Sequence, residues 1–266
     1  MPDSPESVPP TRASRRGRNR SQKPRPRVSV VGVIGELLVT GGVLVLLFLV
    51  WQLWLNDAVL RAAQDSEADA LSKSWATSIP LPTASEAPAD PVDAVAPLVL
   101  AEPDDAEVFG VLRVPRFGAD YAAKMAGGVS TTRTLNPLGI GHYPDTAMPG
   151  QPGNFAVAGH RNTHGKPLNL VGTLQVGDAI VVEVPEGWYT YRFRTLEYVK
   201  PSGVGVLNPV PQLDGVEATD SFITLTSCNP AFSTAERIIA YGVFESWTPR
   251  TAQPDGPASL AAPGEG

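Results

Sequence analysis

From Leu37 to Leu55 the chain runs 19 residues without a charged side chain. As a helix rising about 1.5 Å per residue this run spans roughly 28 Å, close to the hydrocarbon thickness of a bilayer. The apolar segment begins at Val28, with Glu36 as its one acidic interruption. We therefore expect a transmembrane anchor over residues 28–55. Trp51 and Trp54 lie near its end, where interfacial aromatics are expected. Residues 1–27 carry Arg12, Arg15, Arg16, Arg18, Arg20, Lys23, Arg25 and Arg27 against only Asp3 and Glu6. They show no apolar periodicity and read as a disordered basic tail. By the positive-inside rule the tail is cytoplasmic, and everything beyond the anchor lies outside the cell membrane in a single-pass topology. A basic tail also suits nucleic acid. Its direct continuation into the apolar run favours membrane orientation, and no nucleic-acid partner is expected. A cleaved signal peptide is the competing reading; the run is long for an h-region and no clear A-x-A site follows Leu55.

The formal charge of −6 averages regions of opposite sign and says little about partners. Residues 56–105 read as an extracytoplasmic linker, helical over 56–78 and then rich in proline and alanine, holding a following domain off the bilayer. Residues 247–266, rich in Pro, Gly and Ala, read as a disordered C-terminal tail. Between them, residues 106–246 are ample for one core. Short strand-like runs occur at Val108–Val114, Asn154–Ala158, Ala179–Val184, Tyr189–Val199, Phe222–Thr226 and Arg237–Phe244, divided by turn signals such as Val176-Gly177-Asp178. Helical segments are expected only at Ala119–Met125 and Pro167–Leu174. The pattern favours a mostly-β antiparallel barrel or sandwich over a parallel α/β sheet.

The chemistry centres on Cys228, the only cysteine, in Thr224-Leu225-Thr226-Ser227-Cys228-Asn229-Pro230. The stretch before it has the character of a half-buried strand, and Asn229-Pro230 stops it. A thiol at a strand terminus can face a cleft. Otherwise a lone cysteine is a small buried hydrophobe. Upstream, Gly159-His160-Arg161 closes the apolar run that starts at Phe155. Arg237 opens the last strand, and a hairpin through Asn229–Glu236 would set it beside Cys228. A thiol, an imidazole and a guanidinium supply a nucleophile, a proton handler and an oxyanion stabiliser. His142 and His164 raise the question of zinc. No H-E-x-x-H or C-x-x-C pairing is present, so no metal and no cofactor are expected.

Together these residues resemble the sortases, membrane-anchored cysteine transpeptidases of Gram-positive bacteria. Thr224-Leu225-Thr226-Ser227-Cys228 is similar to the family's T-L-x-T-C motif, with Ser227 where the family usually has Thr. Arg237 and Gly159-His160-Arg161 fall where the family carries its arginine and histidine. Gly141-His142-Tyr143-Pro144-Asp145 resembles the loop bearing a characteristic tyrosine in class E sortases of actinobacteria, which would make Tyr143 that residue.

The resemblance implies an eight-stranded β-barrel and cleavage of an L-A-x-T-G or L-P-x-T-G sorting signal between Thr and Gly. Cys228 would be the nucleophile, His160 the acid and base, and Arg237 the oxyanion stabiliser. Tyr143, Thr226 and Ser227 would contact substrate. The implied partners are secreted proteins with C-terminal sorting signals, the membrane, and a peptidoglycan precursor amine of the lipid II type. A pilin-polymerising sortase fits the same residues. An L,D-transpeptidase fits less well, lacking its S-x-G-C-like sequence, and a papain-like protease has its Cys before its His. A non-catalytic, membrane-tethered β-domain with Cys228 buried is the remaining alternative.

Overall fold

A computed structural model describes residues 29–78 and 96–261. The basic tail, the core of the Pro-rich stretch, the last five residues and the side chain of Trp54 lie outside the described residues. The chain divides into two units, residues 1–48 and 49–266. In the first, α1 (Val30–Val50) has a mean hydropathy of 2.5 and no buried residue. By length and composition it is able to cross a membrane.

The second unit contains a closed β-barrel. Its strands are β1 (Val108–Arg113), β2 (Ala123–Gly127), β3 (Ile140–His142), β4 (Gly153–Gly159), β5 (Ala179–Val184), β6 (Gly187–Val199), β7 (Ser221–Asn229) and β8 (Glu236–Pro249). Their order around the barrel is β1-β2-β3-β4-β7-β8-β6-β5, closed by β5 pairing β1. The β2–β3 and β4–β7 pairs are parallel and the others antiparallel.

Alternation along the strands decides what fills the barrel. Leu112, Met125, Ile140, Phe155, Val157, Ile180, Val182, Tyr189, Tyr191, Ile223, Leu225 and Ile238 point inward and are buried in one cluster. On β4 and β7 the outward residues are small or hydroxylated: Asn154, Ala156 and Ala158 beside Phe222, Thr224 and Thr226. Apart from Phe222 these short side chains keep that outer face low, and it can be covered by a loop.

Four sequence expectations are corrected. Ala119–Met125 was read as helical, yet β2 occupies its second half. Ala, Lys and Met favour helix weakly, and ladder bonds to β1 and β3 override that preference. Within Pro167–Leu174 only Val171–Thr173 is helical, as a 3₁₀ turn.

The described parts of residues 56–105 are packed on the barrel, where a free spacer was expected. The helix α2 (Asn56–Ser78) is docked on the barrel, with Ala68 fully buried against Val111 and Ala122. Glu67 pairs with Lys124, and Asp69 with Arg113 at 3.0 Å. Beyond the undescribed stretch, the Leu98 carbonyl accepts a 2.6 Å bond from the Tyr189 hydroxyl.

The region after Trp247 is also structured as far as Ala261. Leu260 packs on the cluster of Ala179, Val181 and Trp188, and the Arg250 guanidinium lies 4.3 Å from the Trp188 ring centre. Its prolines and glycines serve turns there, which composition alone does not separate from disorder.

Candidate active site

Three strand ends converge on one rim of the barrel. Cys228, partly exposed, is the penultimate residue of β7, and Arg237 stands directly opposite it on β8. Strand β4 runs parallel to β7 with Ala158 beside Thr226, and the Ser227 hydroxyl donates to the Gly159 carbonyl at 2.8 Å. One residue further along both strands come His160 and Cys228. Gly159 packs against β3 and the loop that follows β4, where a Cβ would lie 2.7 Å from Ile140 and 2.9 Å from Leu168.

Arg161 fastens the two strand ends together. Its Nη1 donates to the Cys228 carbonyl at 3.2 Å and to the Asn229 side-chain oxygen at 2.5 Å. The His160 Nε2 pairs with the Asn136 side-chain oxygen at 2.8 Å, and its ring stacks on His164 at 4.9 Å with the planes 29° apart. Burial first, and charge on His164 second, hold the His160 pKa below the ordinary histidine value. On the other flank the Arg237 Nη1 donates to the carbonyls of Thr234 (3.0 Å) and Glu236 (2.9 Å). These bonds fix the guanidinium beside the thiol strand. The side chain of Asn229 is itself held, donating to Glu236 at 3.1 Å.

A cavity of about 170 Å³ opens beside this row. Tyr143, Thr226, Ile239 and Arg237 line one side, and Val204, Val206 and Leu207 of the β6–β7 loop line the other. The Tyr143 hydroxyl bonds Thr226 Oγ1 at 3.1 Å, while Thr226 donates to the Val157 carbonyl at 3.2 Å. Ser227, like Cys228 and His160, is not among the residues lining this cavity. Alternation turns it away from the face that Thr226 and Cys228 share, and its hydroxyl is spent on Gly159.

His142 is buried in the barrel, stacked on Phe155 at 5.1 Å. Among the described residues no group of three His, Cys, Asp or Glu is arranged to hold a metal. Sequence reasoning assigned nothing to Arg161, although it directly follows His160. It also passed over Asn136, which lies far from the motif and gives no local signal.

The family model for the Sortase domain matches residues 112–245. Sortase SrtE1 of Streptomyces coelicolor is 34% identical over 255 residues, covering 93% of this chain and 67% of that protein. The crystal structure of sortase E1 from the same organism, with a tripeptide in its active site, superposes with a TM-score of 0.54 at 35% identity. It covers 60% of this chain and 100% of that one. The SrtF sortase of Corynebacterium diphtheriae gives a TM-score of 0.57 at 30% identity, over 63% of this chain and 98% of that one.

Proposed function

Since this chain belongs to the sortase family of cysteine transpeptidases, we propose that it cleaves a C-terminal sorting signal of the L-A-x-T-G or L-P-x-T-G type and transfers the severed protein to a cell-wall amine. The observation that carries this reading is the row of Cys228, Arg237 and His160 on three adjacent strand ends beside a cavity of about 170 Å³. The Cys228 thiolate attacks the carbonyl carbon of the Thr–Gly bond, and the carbonyl π electrons move onto oxygen. Arg237 donates to that oxyanion. Collapse of the tetrahedral species expels the glycine amine, which takes a proton from His160, and leaves a thioester on Cys228. The acceptor amine then attacks the thioester, gives its proton to His160, and releases the Cys228 thiolate. The acceptor is a peptidoglycan precursor amine of the lipid II type.

Tyr143 and Thr226 contribute to binding the signal. The helix α1 anchors the chain, with the basic residues 1–27 on the cytoplasmic side and the barrel outside. This places the reaction where exported proteins and lipid-linked wall precursors meet.

The test uses the full chain in detergent micelles, both signal peptides, and a short oligoglycine as acceptor, with products read by mass spectrometry. Cleavage between Thr and Gly, capture of the acceptor, and loss of both in Cys228→Ala is the expected result. A folded protein that leaves both peptides intact, or that cleaves them equally well without Cys228, would overturn the proposal.

A further inference from the structure

The segment from His160 to Leu168 carries three successive residues in the left-handed backbone region: His164 (φ 53°), Gly165 (φ 80°) and Lys166 (φ 54°). For His and Lys this conformation is unfavourable and persists only where the surroundings over-determine it. Here the surroundings are one face of α2. Asp57, Arg61, Gln64 and Asp65 recur at the spacing that aligns side chains on a helix. Asp57 pairs with the Lys166 ammonium at 2.8 Å. The Arg61 guanidinium donates to the Lys166 carbonyl at 3.3 Å, is oriented by Asp65 at 2.8 Å, and rests 4.5 Å from the centre of the Tyr121 ring. Gln64 donates to the His164 carbonyl at 3.3 Å and lies so close that a Cβ on Gly165 would meet it at 2.1 Å. From below, the Tyr121 hydroxyl donates to the Pro167 carbonyl at 2.9 Å.

What this clamp presents is the ring of His164, stacked on His160. Among the described residues the buried His164 Nδ1 has no hydrogen-bond partner, so the imidazole does no evident structural work through that atom. Asn136 holds the Nε2 edge of His160 and His164 covers its face.

We propose that His164 is a positioning residue for His160, and that α2, the helix following the apolar segment, holds His164 in that role. The proposal rests on the transpeptidase reading for the role of His160. The stack fixes the plane in which His160 exchanges protons, shields one ring face from water, and makes a second positive charge unfavourable beside the first. The charged groups packed around the pair are Arg161 from the same loop, and the Lys166–Asp57 and Arg61–Asp65 pairs toward α2. In this arrangement the juxtamembrane helix belongs to the active unit, and removing it releases the histidine loop.

The experiment uses the full chain in detergent micelles. His164→Asn removes the ring while tolerating positive φ. His164→Phe keeps an aromatic face without the charge. Arg61→Ala/Gln64→Ala releases the loop from α2, and Glu67→Gln weakens α2 docking away from it. Three quantities are read: the NMR titration of the His160 ring, the pH dependence of Cys228 alkylation by iodoacetamide, and kcat and KM for the signal peptide.

In His164→Asn we expect the His160 titration to move up, with kcat falling about tenfold and KM little changed. In His164→Phe the titration moves up while most of kcat returns. The Arg61/Gln64 double variant follows His164→Asn, and Glu67→Gln stays near wild type. An unmoved His160 titration and kcat in both folded His164 variants would overturn the proposal, as would an equal loss in Glu67→Gln. Should His164→Asn fail to fold, His164→Phe and the double variant decide by the same readouts. The His160 titration and the alkylation profile need no peptide, so failure of the transpeptidase reading is told apart from failure of the pair.

Discussion

The side-chain oxygen of Asn154 on β4 accepts a 2.7 Å hydrogen bond from the hydroxyl of Thr224 on β7. That bond turns the Asn154 amide toward the β6–β7 loop, where it donates to the carbonyls of Val206 (2.9 Å) and Asn208 (3.1 Å). Asn154 is 1% exposed. A buried strand residue thus pins the loop that closes the proposed substrate cavity.

Asn154→Ala should leave a buried hydroxyl and two carbonyls without their partner, at a cost of about 2–3 kcal/mol. Hydrogen exchange in residues 200–215 should accelerate more than elsewhere in the barrel. Uniform acceleration around the barrel would show that the pin has no local role.

Glu183 ties α2, β1 and the C-terminal segment into one network. Its carboxylate, 1% exposed, accepts from Ser72 at 2.5 Å, Arg113 at 2.6 Å and Arg250 at 3.0 Å. Glu183→Leu leaves the almost fully buried Arg250 without a carboxylate and Arg113 with Asp69 alone, and should cost about 3–5 kcal/mol in urea denaturation. Ser72→Ala should cost about 1 kcal/mol, since the arginines keep their partner. Similar losses in the two variants would refute this ordering.

Acid should weaken the fold below the ordinary histidine range. Burial holds the His142 pKa below its usual value, against smaller opposing effects of the Ala147 carbonyl and Glu102. The unfolded chain therefore binds the proton more readily, so stability falls as pH drops through about 6.5 toward the lowered folded value. His160, also lowered, contributes with the same sign. The check is the thermal midpoint at pH 7.5 and 5.5. His142→Gln should show a smaller drop than wild type, and an equal drop would exclude His142 as a source.

Tyr143→Phe removes the hydroxyl bonded to Thr226 while keeping the ring at the cavity wall. About 1 kcal/mol of stability should be lost. If Tyr143 reads the signal, the ratio of kcat/KM for L-A-x-T-G and L-P-x-T-G peptides should change by more than the two values change together. A common decrease in both would make the hydroxyl purely structural.

Six of the eight strands were legible as alternating or apolar runs, and the helix α1 as an apolar stretch of bilayer length. The two strands missed are the short ones. β2 has helix-favouring composition, and β3 is only three residues long, so both owe their conformation to neighbours distant in sequence. The meeting of Cys228 with Arg237 followed from a hairpin legible in order along the chain. The roles of Arg161, Asn136 and His164 were not legible, because they depend on the parallel β4–β7 pairing and on α2 docking. The docking of α2 hid for another reason. A polar helix with scattered Ala and Leu reads the same whether its ion pairs face water or a barrel wall.

The closure of the sheet by β1 and β5 gives each of the eight described strands a neighbour on both sides, although β6 beyond Phe193 lies against β8 alone. An extended peptide therefore has only short one-sided backbone rows to join as an added strand, such as Thr195–Val199 of β6, and strand addition is a common and largely sequence-blind way to bind such segments. Elsewhere the barrel presents its rim and outer face, side chain against side chain. Under the proposed function, discrimination then rests on a few positions of the signal.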